Sequence, residues 1–203
     1  MQGFQRFARR LRLSPDCKAL AGGLDWMGIA TAPESTVRLW DVLSGKELAH
    51  FDSPSSLDGE LLAFSPGGKI LASSTSNNRD KFIVHLWDTA SGRELCRYTE
   101  HRDRVRALAF SPDGKRIASG SGSADAKDNF VHVWETATGR QIRRFAGHHS
   151  GIESMDFAPD GLTVASGAGH TSTEMVMRHY SHIAGKIDHM REAAMRAASS
   201  GRV

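Results

Sequence analysis

Cysteine is nearly absent: Cys17 and Cys96 are the only two thiols in 203 residues. Two isolated thiols exclude the disulfide framework of a small secreted scaffold, so a reducing, cytoplasmic setting is the expectation. No apolar run is long enough to span a bilayer. The basic opening stretch, 1–13, lacks the apolar segment of a secretory signal. Nor does one sign of charge dominate. A net charge of +3, with Lys and Arg interspersed among Asp and Glu, weighs against nucleic acid as partner. The ten histidines fall without a Cys/His ligand spacing, so neither a metal nor a cofactor is expected. Glycine, by contrast, is abundant at 20 residues, as turn-rich β structure requires.

What fills the chain is repetition. Trp40, Trp87 and Trp134 stand 47 residues apart. Each sits in one phrase: Leu39-Trp40-Asp41 with Ser44-Gly45-Lys46, Leu86-Trp87-Asp88 with Ser91-Gly92-Arg93, and Val133-Trp134-Glu135 with Thr138-Gly139-Arg140. A second phrase alternates with it: Ser14-Pro15-Asp16, Phe64-Ser65-Pro66-Gly67-Gly68, Phe110-Ser111-Pro112-Asp113-Gly114 and Phe157-Ala158-Pro159-Asp160-Gly161. Pro fixes φ and Gly accepts a positive φ, so each such turn between apolar runs predicts a hairpin. A short small-residue strand follows, as at 70–73, 117–120 and 164–167. The Trp strand comes next, and a last strand such as 141–145 closes the period. Four short strands cannot bury both faces of their own sheet, so the sheets must stack, and radially stacked four-stranded sheets make a β-propeller.

These phrases resemble the WD-repeat propeller family over residues 4–168. The resemblance implies an all-β fold, a partial WD-repeat β-propeller of about three and a half four-stranded blades in an open ring. Blades are expected over about 4–52, 59–99 and 101–146, with a half blade over 148–168 and a helical tail over 169–203. In that family a His before the first strand, a Ser or Thr on the second, an Asp in the following turn and the Trp form a structural hydrogen-bond network. Carried over, these are His101, Ser119, Asp128 and Trp134. The second repeat departs from the pattern, with Ser55 at the His place and Lys81 at the Asp place. The fourth keeps His148 and Ser166 without the Trp, and the first has Phe4 at the His place and Leu13 for the usual Phe. A His, a Ser and an Asp also invite a catalytic triad, but no nucleophile-elbow sequence surrounds them. A network pairing buried polar groups is the reading adopted, and the chain is expected not to be an enzyme.

The first repeat carries an insertion, 24–33, expected to be a loop holding Trp26. The open ends of such a stack are an association hazard. Truncation of a longer propeller, completion by another chain and self-association through open blade edges all follow as expectations, truncation foremost. Beyond the repeats, Ile187, Met190, Ala194 and Met195 recur at near-helical spacing, and Ser181 stands where a fourth Trp is due. Residues 169–182 also resemble the end of a tyrosine recombinase (integrase) catalytic domain, with His170 ahead of Tyr180. A Tyr attacking a phosphodiester needs Arg side chains on the phosphate. The family's arginines have no equivalent here, so the tail, if derived from one, is expected to be inert.

In WD-repeat proteins the residues three and five after the repeat's His often reach the face where partners dock. Here these are Arg104 and Arg106, with Lys127 in the turn beside Asp128; Arg102, Arg104 and Arg106 alternate at strand period. The second repeat offers Asp58 and Glu60 at the matching places. The expected function is a non-enzymatic scaffold binding protein or peptide partners through this loop face. The alternatives are an inactive recombinase relic and a remnant without independent function.

Overall fold

A computed structural model describes residues 6–26, 35–53, 61–77, 81–122 and 128–168. All of them belong to the first of the two units into which the chain divides, Met1–Gly169. The expectations for Phe4, Ser55, Asp58, Glu60, Lys127, His170, Tyr180, Ser181 and the helical tail lie outside the described residues.

Blade 1 is β1 (Arg6–Leu13), β2 (Ala19–Trp26), β3 (Ser35–Asp41) and β4 (Glu47–Ser53). Blade 2 is β5 (Leu62–Phe64), β6 (Ile70–Asn77), β7 (Lys81–Asp88) and β8 (Glu94–His101). Blade 3 is β9 (Val105–Phe110), β10 (Arg116–Ser121), β11 (Val131–Glu135) and β12 (Gln141–Phe145). A half blade holds β13 (Ile152–Phe157) and β14 (Val164–Ala168). Each sheet is an antiparallel meander in chain order. Among the described residues there is no helix, and the sheets form a partial, open propeller. No helix among them is long and apolar enough to cross a membrane.

The repeated tryptophans hold one register. Trp40, Trp87 and Trp134 pair with Glu47, Glu94 and Gln141, and in each case the ladder slips by one residue just before the indole. Such a bulge turns the strand and raises its twist, which suits a blade that fans outward. The Pro-bearing turn is equally regular: the amides of Gly68, Gly114 and Gly161 each donate at 2.8 Å to the carbonyl three residues back. All three glycines sit near φ 68 in the left-handed region, where a side chain is strained.

The core lies between blades. Ala21, Val37, Leu39 and Phe51 of blade 1 meet Leu62, Leu71 and Trp87 of blade 2. Ala72, Val84, Leu86 and Tyr98 of blade 2 meet Ile117 and Trp134 of blade 3. Ala107, Ala109, Val131 and Val133 of blade 3 meet Ile152 and Phe157 of the half blade. The joints reuse one set of places: a residue ending the first strand (Phe64, Phe110, Phe157) and another seven later (Leu71, Ile117, Val164), joined in the first two joints by the Trp. Each fully buried indole contributes roughly 3 kcal/mol of apolar transfer. Gly120 lets the half blade approach, since a Cβ there would stand 2.6 Å from Ile152.

Two local expectations need correction. Leu24, Asp25 and Trp26 are not in a loop: they extend β2, where Leu24 pairs with Thr36 and Trp26 with Arg6. Backbone pairing on both sides carries the strand through the start of the insertion. Arg102 and Arg104 are not on a strand either, because β8 ends at His101 and β9 opens only at Val105. The Arg104 carbonyl accepts instead from the Gly122 amide at 3.1 Å, across the blade's edge.

Candidate functional site

Three segments of blade 3 converge at one corner: the turn from His101 to Val105, the connection that Gly122 opens and Asp128 closes, and the strand β11 carrying Trp134. Strand alternation turns the Ser119 and Trp134 side chains to one face, where the indole N–H donates to Ser119 Oγ at 3.3 Å. His101 Nε2 lies 2.7 Å from the same oxygen. On its other side, His101 Nδ1 is 3.0 Å from Ser121 Oγ and 3.4 Å from Asp128 Oδ2. Asp128 also accepts the Arg102 backbone N–H at 3.0 Å. The four residues expected to form a network are thus within reach of one another.

Burial sets their protonation. Desolvation lowers the pKa of His101, and the bond to Asp128 does not offset it, so the imidazole is neutral. Burial alone would raise the Asp128 carboxyl. Hydrogen bonds from His101 and His132 and from the Arg102 amide outweigh it and hold the carboxyl well below the usual range. The pair is therefore a hydrogen bond from neutral imidazole to carboxylate. The network assigns the proton to Nδ1, leaving Nε2 to accept from the Ser119 hydroxyl.

The corner holds more than the sequence pattern named. His132 places Nε2 3.2 Å from Asp128 Oδ1 and Nδ1 2.7 Å from the Tyr98 hydroxyl, with Gln141 Oε1 at 2.8 Å. Tyr98 belongs to blade 2 and stacks on Trp134 at 5.2 Å, so the network crosses the joint between blades. Two signals pointed there: Phe51, Tyr98 and Phe145 share the 47-residue interval, and so do His85 and His132. His101, Asp128 and His132 together offer three buried ligand atoms within 4.8 Å of one another, the donor types that hold a divalent metal. Spacing along the chain hides the trio, because its members come from separate elements. Here the same atoms hydrogen-bond to one another and to Ser119, Ser121 and Arg102, and none is left without a partner.

Ser119 is 0% exposed and its oxygen is shared between an imidazole and an indole, so no substrate carbonyl or phosphorus reaches it. Around this sealed corner lie the charges. Arg102 is exposed, and Arg104 is half-buried in the turn. Arg106, on β9, donates Nε to the Gly122 carbonyl at 2.7 Å and pairs with Glu153 of the half blade at 3.0 Å. Of the expected partner-binding set, only Arg104 and Arg106 are therefore placed.

Residues 92–135 and 139–173 match the family model described as WD domain, G-beta repeat. The first match runs from the outer strand of blade 2 to the third strand of blade 3. That frame explains why His101, at the end of β8, bonds within blade 3. In sequence, no curated protein matches the chain. Among solved structures it is similar to a chain in the crystal structure of a mitotic checkpoint complex, with 20% identity and TM-score 0.64 over 81% of this chain and 45% of that one. It is also similar to two computationally designed proteins, each at 24% identity and TM-score 0.59. One, Ika8, is matched over 82% of this chain and 44% of its own; the other, Ika4, over 85% and 91%. The chain thus spans under half the length of the first two, and identity at this level carries the fold alone.

Proposed function

We propose that this chain of WD repeats is a non-enzymatic platform that binds an acidic segment of a protein partner at the loop corner of blade 3. One observation carries the reading: the exposed Arg102 turn is bolted to the blade through its own backbone, whose N–H donates a hydrogen bond to the buried Asp128 carboxylate. A loop fixed before binding loses little conformational entropy when a partner arrives, which raises affinity without new contacts. Arg102 and Arg104 supply positive charge at that fixed place, suited to carboxylates on a partner and to steering its approach. Arg106, beside them on β9, takes a supporting part and ties blade 3 to the half blade through Glu153. The sealed Ser119 favours binding over catalysis.

The test is an affinity capture with the chain as bait, comparing wild type with Arg102→Glu/Arg104→Glu and with a double reversal at the opposite end of the blade, Lys115→Glu/Arg140→Glu. The expected result is a partner retained by wild type and the second variant but lost by the first, with unchanged thermal melts. An identical partner set for all three sinks the loop-corner reading.

A further inference from the structure

Blades 2 and 3 complete their joints in one way. Trp87 packs against Phe51 of the preceding blade at 5.4 Å, and Trp134 against Tyr98 at 5.2 Å. Each indole N–H then donates to a serine on the second strand, Ser73 at 2.9 Å and Ser119 at 3.3 Å. Each Trp stands opposite the residue two before that serine, Leu71 and Ile117. The half blade repeats every part of this receptacle except the indole. Val164 and Ser166 occupy the strand places, and His148 Nε2 lies 2.7 Å from Ser166 Oγ, as His101 does from Ser119. The aromatic wall is there too. Phe51 and Tyr98 are 1% and 2% exposed, whereas Phe145, next in the series, is 46% exposed. Among the described residues β14 pairs only with β13.

We propose that this edge docks a strand pair of a second polypeptide: an antiparallel strand joining β14, with a tryptophan opposite Val164. Its indole N–H donates to Ser166 and its ring covers Phe145. Main-chain bonds to a sheet edge supply affinity, and the pocket for the one side chain supplies specificity. The 203 residues contain no tryptophan after Trp134. A second copy cannot lend one without losing a blade. Its Trp87 and Trp134 are buried, its Trp26 lies on β2 between β1 and β3, and its Trp40 lies on β3 between β2 and β4. The edge is separate from the Arg104 corner and does not depend on the loop reading.

The experiment titrates the full chain into a fluorescein-labelled peptide reproducing residues 128–146 of this sequence, a Trp-bearing strand pair, and reads anisotropy. Saturable binding is expected. It should weaken at least tenfold with Trp134→Ala in the peptide and less with Trp134→Phe, which keeps the ring but not the donor. Phe145→Ala and Ser166→Ala in the full chain should each weaken it, while Arg102→Glu/Arg104→Glu should not. The peptide variants keep the test valid if an edge variant of the chain misfolds. No binding, or equal binding by the Trp134→Ala peptide, overturns the proposal. So does a chain that sediments alone as a dimer dissociated by Phe145→Ala, which gives the edge to a second copy.

Discussion

Blade 3 and blade 1 share a register but not an interior. In both, the ladder slips just before the Trp and the indole strand re-pairs seven residues on. In both, a Ser-Pro-Asp turn is clamped by a serine hydroxyl donating to the Asp carboxylate at 2.6 Å. Their interiors diverge. Trp134 is 0% exposed and bonded to Ser119. Trp40 is partly exposed, and Gly22 stands at the serine's place with no hydroxyl to offer. A Cβ there would lie 2.8 Å from Leu11 and 3.1 Å from the Trp40 ring. Turns and apolar places therefore suffice to make a blade, and the buried polar network is an addition that fixes loops.

The widest gap between the two blades should appear on deleting their indoles. Trp134→Ala removes a fully buried ring stacked on Tyr98 and should destabilise by about 4 kcal/mol. Trp40→Ala, on the open face beside Leu11 and Leu13, should lose about half as much, near 2 kcal/mol. Urea unfolding of both variants measures the difference; equal losses would mean that the face of blade 1 is covered in solution. Next in size is Asp128→Ala, which strands the His101 and His132 donors and the Arg102 amide and should destabilise by about 3 kcal/mol. Amide exchange at Arg102 should quicken with it. If stability drops while that amide stays protected, the carboxylate is not what holds the turn.

The pH profile sharpens the same contrast. Desolvation holds His101 and His85 below the ordinary 6.5 in the folded chain, so on acidification the unfolded chain takes those protons first. Stability should decline as pH falls through about 6.5, and again below 3.8 as the carboxyls that are depressed in the fold, Asp128 among them, are protonated first when unfolded. On the alkaline side burial raises Cys96 above 9.0, so the unfolded chain ionises first and stability should fall as pH rises through that value. Thermal melts from pH 3 to 10 should trace a dome of several degrees. Asp128 partly offsets the desolvation of His101, so Asp128→Ala should deepen the decline below pH 6.5, which no change in blade 1 should reproduce.

Much of this architecture was legible in the residues, and the boundary is physical. The 47-residue interval and the turn phrases imposed the blades, because each turn is local and each apolar place recurs. His101, Ser119, Asp128 and Trp134 were legible through family resemblance alone. Their partners Tyr98 and His132 share the 47-residue interval, but nothing in it marks a bond between them: they meet across a joint between blades, and only packing brings them to 2.7 Å. The turn at Arg102–Arg104 misled for a related reason. Alternating arginines look like a strand, but the Gly122 amide claims the Arg104 carbonyl and the Asp128 carboxylate claims the Arg102 amide. Long-range bonds of that kind leave no period in the sequence.

The smallest expected effect lies in the one turn residue that breaks the series. Cys17 has φ 58, in the left-handed region its counterparts Gly68, Gly114 and Gly161 occupy, and its amide makes the same turn bond, at 2.9 Å to Ser14. An L side chain held there costs about 1 kcal/mol. Glycine removes that strain but loses more backbone freedom on folding, an opposing effect of roughly 0.5 kcal/mol. Cys17→Gly should therefore stabilise the chain by about 0.5 kcal/mol, and Gly114→Ala should destabilise it by a similar or larger amount. The cysteine is exposed, so its removal sacrifices no packing. Urea midpoints of both variants decide the matter: a Cys17→Gly chain less stable than wild type would show that the first turn relaxes to a conformation its glycine counterparts do not share.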